Sequence, residues 1–114
     1  MNLAYILITT GIFLVCNVLI WYQLNGQLVW DFWKTWKGIT LSLLMGIPIS
    51  ALFWWATKIG YIGFGNLWAV RFMGFATSMV TFPIMTYLFL GEPMGLKTIV
   101  TLMLAIMIMI IQIL

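Results

Sequence analysis

Four long apolar runs, set apart by short polar breaks, organise the chain. The first spans about residues 3–24 and ends at "QLNGQ". "LVWDFWKTWK" follows, in which three tryptophans are interleaved with Asp31, Lys34 and Lys37. Aromatic rings and lysines sit well together at a membrane–water boundary. A second run covers 38–57 and stops at Lys58, and the glycine-rich "KIGYIGFGN" after it predicts a tight connection. A third run covers 66–90. "GEP" at 91–93 predicts a turn, because Pro93 pushes Glu92 out of the helical region. The fourth run covers 95–114. A helix needs about 20 residues to cross a hydrocarbon core of about 30 Å, and each run meets that length. The pattern predicts an all-α polytopic membrane protein with one transmembrane domain, residues 1–114. Its four helices have short connections and leave both termini on one side.

Composition sharpens the choice of solvent. Hydrophobic residues make up 65% of the chain and charged residues 6%, against roughly 25% charge in a soluble domain. A water-soluble chain of 114 residues has no interior large enough for that much apolar surface. The net charge of +3 comes from five scattered cations and two acids, too few for a patch that tracks phosphates. Membrane lipids are therefore expected partners, and nucleic acid is not.

The chemistry available is narrow. Cys16 is the one cysteine and histidine is absent, so the chain offers no nucleophile–base pair and no metal-site spacing. "GYIGFG" lacks the strand-then-helix setting of a dinucleotide site. No catalytic residue, metal or cofactor is expected. Cys16 itself reads as a small apolar packing residue. The N-terminus is hydrophobic from Leu3 without a basic region or small-residue cleavage site, which predicts a retained span.

Finer patterns mark individual helices. In helix 2, Gly38, Ser42, Gly46 and Ser50 recur every four residues and lay a small-residue stripe along one face. Such a stripe serves intrachain packing or forms a sliding or dimer-forming seam. Pro48 and Pro83 fall inside helices 2 and 3, where each removes a backbone donor and favours a kink. Helix 4 has no charge after Lys97 and three methionines, which suits adaptable packing better than a metal route.

Charge gives only a slight orientation. The connections joining helices 1–2 and 3–4 carry Lys34, Lys37 and Lys97, while the other side carries Lys58 and Arg71. Three cations against two place the former side in the cytoplasm and both termini outside. So small a difference also permits insertion in both orientations.

Arg71 has two places open to it. It can mark the true start of helix 3, since Phe72 to Gly91 is a run of 20 uncharged residues, about one bilayer crossing; it then reaches lipid headgroups. Alternatively helix 3 begins near Asn66 and Arg71 lies one to two turns inside, where a buried arginine costs a few kcal/mol unless it is paired or hydrated. Facing a cavity, its fixed charge favours anionic groups. On an ideal helix Arg71, Phe75, Ser78 and Phe82 share one face, and Gly74 and Ser78 offer close-approach positions. The candidate substrate-binding residues are Arg71, Phe75 and Ser78, with Trp68 and Asn17 as neighbours. The candidate packing residues are Gly38, Ser42, Gly46, Ser50 and Gly74.

The run "PIMTYLFLGEPMGLKTIVTLMLAIMIMIIQIL" resembles the end of a repeat in the drug/metabolite transporter superfamily. There a helix closes in an "LGE-P" turn at the membrane surface before a last packing helix, and Leu90, Gly91, Glu92 and Pro93 match that turn. Chain length and helix count are similar to the small multidrug resistance proteins, the small four-helix members built from a single (EamA-like) repeat. The resemblance covers approximately residues 38–114. It implies an antiparallel or dual-topology homodimer, a substrate chamber between subunits, dimerisation through helix 4, and a multi-pass place in the bacterial inner (plasma) membrane. One departure matters. Proton-coupled members of that family carry a glutamate in helix 1, whereas here Asn17 is the most polar central residue. Asn17 cannot exchange a proton, and Glu92, a turn and cap residue ahead of helix 4, is no substitute.

Together these features predict a small membrane transporter or flippase-like protein. It is expected to move a neutral or anionic small molecule, or a lipid-linked group, by alternating access as a dimer. The alternative is a non-catalytic accessory subunit packing within a larger membrane complex. A channel fits less well, for want of an acid ring or a selectivity-filter sequence.

Overall fold

The computed structural model describes residues 2–114. Four helices account for most of them: α1 (Leu3–Asn25), α2 (Trp36–Phe64), α3 (Leu67–Leu90) and α4 (Leu96–Ile113). No strand occurs among the described residues. All four helices are long and apolar enough to cross a membrane.

Local chemistry sets the helix ends. The Asn2 side chain accepts from the Ala4 and Tyr5 amides, Thr35 from Gly38, and Asn66 from Ala69. These are N-caps that satisfy donors left over in the first turn. Gly65 (φ 85°) and Gly91 (φ 69°) end α2 and α3 in the left-handed conformation that glycine adopts without a Cβ penalty. Each donates its amide four residues back, to Tyr61 and Tyr87 respectively. Two short 3₁₀ turns, Gly26–Leu28 and Asp31–Lys34, connect α1 to α2. Residues 91–95 are non-helical, as the "GEP" turn predicts. Pro48 and Pro83 lie inside α2 and α3, which continue through them.

Two boundaries differ from the sequence expectation. α2 does not stop at Lys58 but runs to Phe64, so most of "KIGYIGFGN" is helix and only Gly65 and Asn66 link α2 to α3. The glycines in that segment are contact positions. A methyl group on Gly60 would sit 2.8 Å from the Thr9 side chain, and one on Gly63 would sit 2.9 Å from Tyr5 Cβ and 3.0 Å from the Ile6 backbone nitrogen. They bring α1 and α2 together as small residues do between membrane helices. The second difference is Glu92. It lies four residues ahead of α4, whose N-cap is Gly95, and no side chain caps that helix.

The helices run up and down in sequence order. α1 packs against α2 and α3, and α4 packs chiefly on α3. The core gathers Ile6 and Phe13 of α1, Ala56 and Phe64 of α2, and Ala69, Val70 and Met73 of α3. From α4, Met109 and Ile113 pack on its edge. At the opposite end an aromatic group of Trp21, Tyr22, Trp30 and Phe89 joins α1, the connection and α3. There Trp21 Nε1 donates to Thr86 Oγ1 at 3.1 Å. Large apolar side chains cover much of the outer surface, and Ala105 is the one buried residue of α4. That distribution suits a protein whose solvent is hydrocarbon.

Candidate functional site

A cavity of about 400 Å³ opens between α1, α2 and α3. It is of the size that holds small-molecule ligands. Its walls are mostly apolar: Phe13, Ile20, Phe53, Leu67, Val70 and Phe75. Its polar groups are Asn17, Thr57, Arg71 and Ser78. Leu67 and Ser78 are eleven residues apart on α3, which makes the cavity about 16 Å deep along the helix.

Helix periodicity brings Arg71, Phe75 and Ser78 to this surface. α3 begins at Leu67, with Asn66 as its cap, so Arg71 stands one turn inside the helix. Its guanidinium carbon lies 5.1 Å from the centroid of the Phe75 ring, one turn further on. A cation over an aromatic face is attracted by the ring quadrupole. The single ion pair among the described residues joins Asp31 and Lys34. Both acids, Asp31 and Glu92, belong to the end of the bundle opposite the α2–α3 junction. Arg71 therefore meets no carboxylate.

Asn17, across the cavity on α1, has its amide orientation fixed by its partners. Nδ2 donates to the Phe13 carbonyl at 2.8 Å and to Thr77 Oγ1 at 3.1 Å. A carbonyl oxygen accepts only, so nitrogen must face Phe13. The Thr77 hydroxyl in turn donates back to the carbonyls of Met73 and Gly74. Both amide protons of Asn17 are thus engaged, and Oδ1 is left as the acceptor for the cavity. Gly74 makes room opposite, where a methyl group would sit 3.5 Å from the Phe13 ring.

The other sequence candidates fall elsewhere. Trp68 is 74% exposed, stacks on Phe72 and does not line the cavity; Phe82 is also outside it. The small-residue stripe of α2 serves three different surroundings. Gly38 is buried against the Trp33 backbone of the preceding 3₁₀ turn. Ser42 exchanges bonds with Gln23 of α1, Oγ to the Gln23 carbonyl at 3.1 Å and Gln23 Nε2 to the Ser42 carbonyl at 2.7 Å. Gly46 lies beside the same Gln23 amide, while Ser50 is exposed. Gly91, Glu92 and Pro93 form the exposed turn between α3 and α4. Of the cavity wall, Phe13, Ile20, Phe53, Thr57, Leu67 and Val70 escaped the sequence reading. Nothing in their spacing distinguishes them from packing residues.

No cluster of three or more metal-ligating side chains occurs among the described residues. No protein-family model, curated protein or solved structure matches the chain.

Proposed function

We propose that this chain is a small membrane transporter or flippase-like protein of the drug/metabolite transporter type. In this proposal it works as a dimer by alternating access and moves a neutral or anionic small molecule or a lipid-linked group. The observation that carries the proposal is Arg71 on the wall of an apolar cavity with no acid beside it. Arg71 is exposed there and has no paired acid, so its charge is free to meet a ligand. Its charge repels the lipophilic cations that an acidic cavity would take, and attracts anions. The cavity wall carries no carboxylate or imidazole to take up and release a proton, so coupling to a proton gradient is not part of the proposal.

The test is flux in proteoliposomes. Radiolabelled organic anions and a fluorescent phospholipid are expected to cross faster than in empty vesicles, with the gain lost in Arg71→Ala. Absence of flux across both panels, or full flux in the variant, contradicts the proposal.

The exposed face of α4 favours one second function. That helix buries only Ala105 in this chain, leaving Met103, Met107, Ile110 and Ile111 outward. An accessory subunit would present such a face to a larger complex. A heteromeric partner at fixed stoichiometry in a native pull-down supports that role, and a solitary homodimer opposes it.

A further inference from the structure

Lys58, which plays no part in the cavity just described, stands beside it. A second hollow on the outer side of α2 is lined by Ser50, Phe53, Trp54, Thr57 and Lys58. Phe53 and Thr57 also line the inner cavity. The two spaces therefore share a wall, with Lys58 on one side of it and Arg71 on the other.

The two cations are also level with one another. A methyl group on Gly60 would lie 3.2 Å from Val70 Cγ2, which fixes residue 60 of α2 opposite residue 70 of α3. Lys58 and Arg71 are two and one residues from that contact, each on the side away from the α2–α3 junction. Gly38 to Thr57 and Phe72 to Gly91 are each 20 uncharged residues, about 30 Å of helix, the thickness of a hydrocarbon core. A bilayer that covers both runs puts its phosphate layer at Lys58 and Arg71 on this side. Each cation lies over an aromatic ring one turn deeper, Lys58 over Trp54 at 5.4 Å and Arg71 over Phe75 at 5.1 Å. Neither is salt-bridged, since the one ion pair among the described residues is Asp31 with Lys34.

Two unpaired cations at phosphate depth, on either side of one wall of an apolar cavity, complement an anionic amphiphile. We propose that the chain binds one anionic phospholipid from the surrounding leaflet. Its phosphate lies between Lys58 and Arg71, and one acyl chain passes by Phe53 and Thr57 into the cavity toward Asn17. The proposal rests on the cavity being a ligand site and is independent of whether the ligand is then moved. Charge-assisted contacts to phosphate supply the preference over a zwitterionic lipid, whose own cation the two side chains repel.

Native mass spectrometry of the purified chain tests it, in detergent with equal amounts of phosphatidylglycerol and phosphatidylcholine. One phosphatidylglycerol per chain is expected, preferred by about tenfold. Arg71→Gln and Lys58→Gln are each expected to abolish most of that preference. Arg71→Lys and Lys58→Arg, which keep the charge, are expected to preserve it. A second arm adds inorganic phosphate alone. If phosphate displaces the lipid completely at millimolar concentration, the site takes a soluble anion and the acyl-chain part of the proposal is overturned. Equal retention of both lipids, or a preference unchanged in both Gln variants with helicity intact, overturns the whole. Retention without flux of either the organic anions or the phospholipid leaves this site standing and removes the transport proposal. Flux of a soluble anion without retention does the reverse.

Discussion

Asn17 of α1, on the cavity wall, and Thr77 of α3, fully buried, are joined by a buried hydrogen bond of 3.1 Å. Thr77 spends its own proton on its helix backbone, so it acts toward Asn17 purely as an acceptor. Replacing it with valine leaves an amide proton of Asn17 without a partner. Interhelical hydrogen bonds in membranes are worth about 0.6 kcal/mol on average and up to about 1.7. Thr77→Val is expected to cost about 1 kcal/mol and Thr77→Ser close to nothing, read as SDS-induced unfolding in mixed micelles. Equal costs for the two variants would show that the bridge contributes nothing.

Gly60 and Gly63 hold α1 against α2 through contacts that no larger residue fits. Gly63→Ala would press a methyl group between Tyr5 and the Ile6 backbone. Overpacking of this kind costs about 1–3 kcal/mol. Gly11, on α1 with open space around it, is the control. Gly11→Ala is expected to be neutral or slightly stabilising, because alanine is the better helix former. The same unfolding assay separates the two.

The α2–α3 junction turns on Gly65 at φ 85°. Any side chain there meets the following carbonyl, at a cost of about 1–2 kcal/mol. Gly65→Ala is expected to lower stability by that amount. Gly95→Ala, at φ −73° with nothing nearby, is expected to have little effect. Similar losses at both sites would mean that Gly65 is not strained by a side chain.

Transport through this cavity is expected to ignore a proton gradient, since its wall holds no carboxylate or imidazole. Proteoliposomes with an imposed pH difference, with and without a protonophore at clamped membrane potential, check this. Unchanged initial rates are the expected outcome, and accumulation driven by the gradient would require a protonatable group elsewhere.

Much of the fold is legible in the sequence because hydrophobic run length is a strong signal. The four spans, the "GEP" break and the shared face of Arg71, Phe75 and Ser78 all follow from spacing alone. The end of α2 does not. Glycine ordinarily reads as a helix breaker, and only the proximity of Thr9, Tyr5 and Ile6 explains why Gly60 and Gly63 are helical instead. Trp68 is near Arg71 both in sequence and in helical angle, yet it is 74% exposed and stacks on Phe72 instead of lining the cavity. Phe53 and Thr57 come to the cavity through the antiparallel pairing of α2 with α1, a tertiary fact without a local signature. Arg71 lies inside α3 and on the cavity wall, and it also stands at the limit of a 20-residue uncharged run, so its position is compatible with both a headgroup and a cavity role.

Whether Arg71 makes the cavity selective for anions is tested most directly by thiol chemistry inside it. Ser78→Cys places a reactive group on the cavity wall, and Cys16, fully buried, stays silent as background. Its labelling is compared with two thiosulfonate reagents of similar size, one bearing a sulfonate and the other a trimethylammonium group. With each rate scaled to the same reagent's rate with a free thiol in solution, the anionic reagent is expected to react faster by about tenfold, as a charged cleft concentrates its counter-ion, with the two scaled rates drawn together by Arg71→Gln. A cationic reagent whose scaled rate is equal or faster, or a ratio that Arg71→Gln leaves unchanged, would contradict an anion-selective cavity.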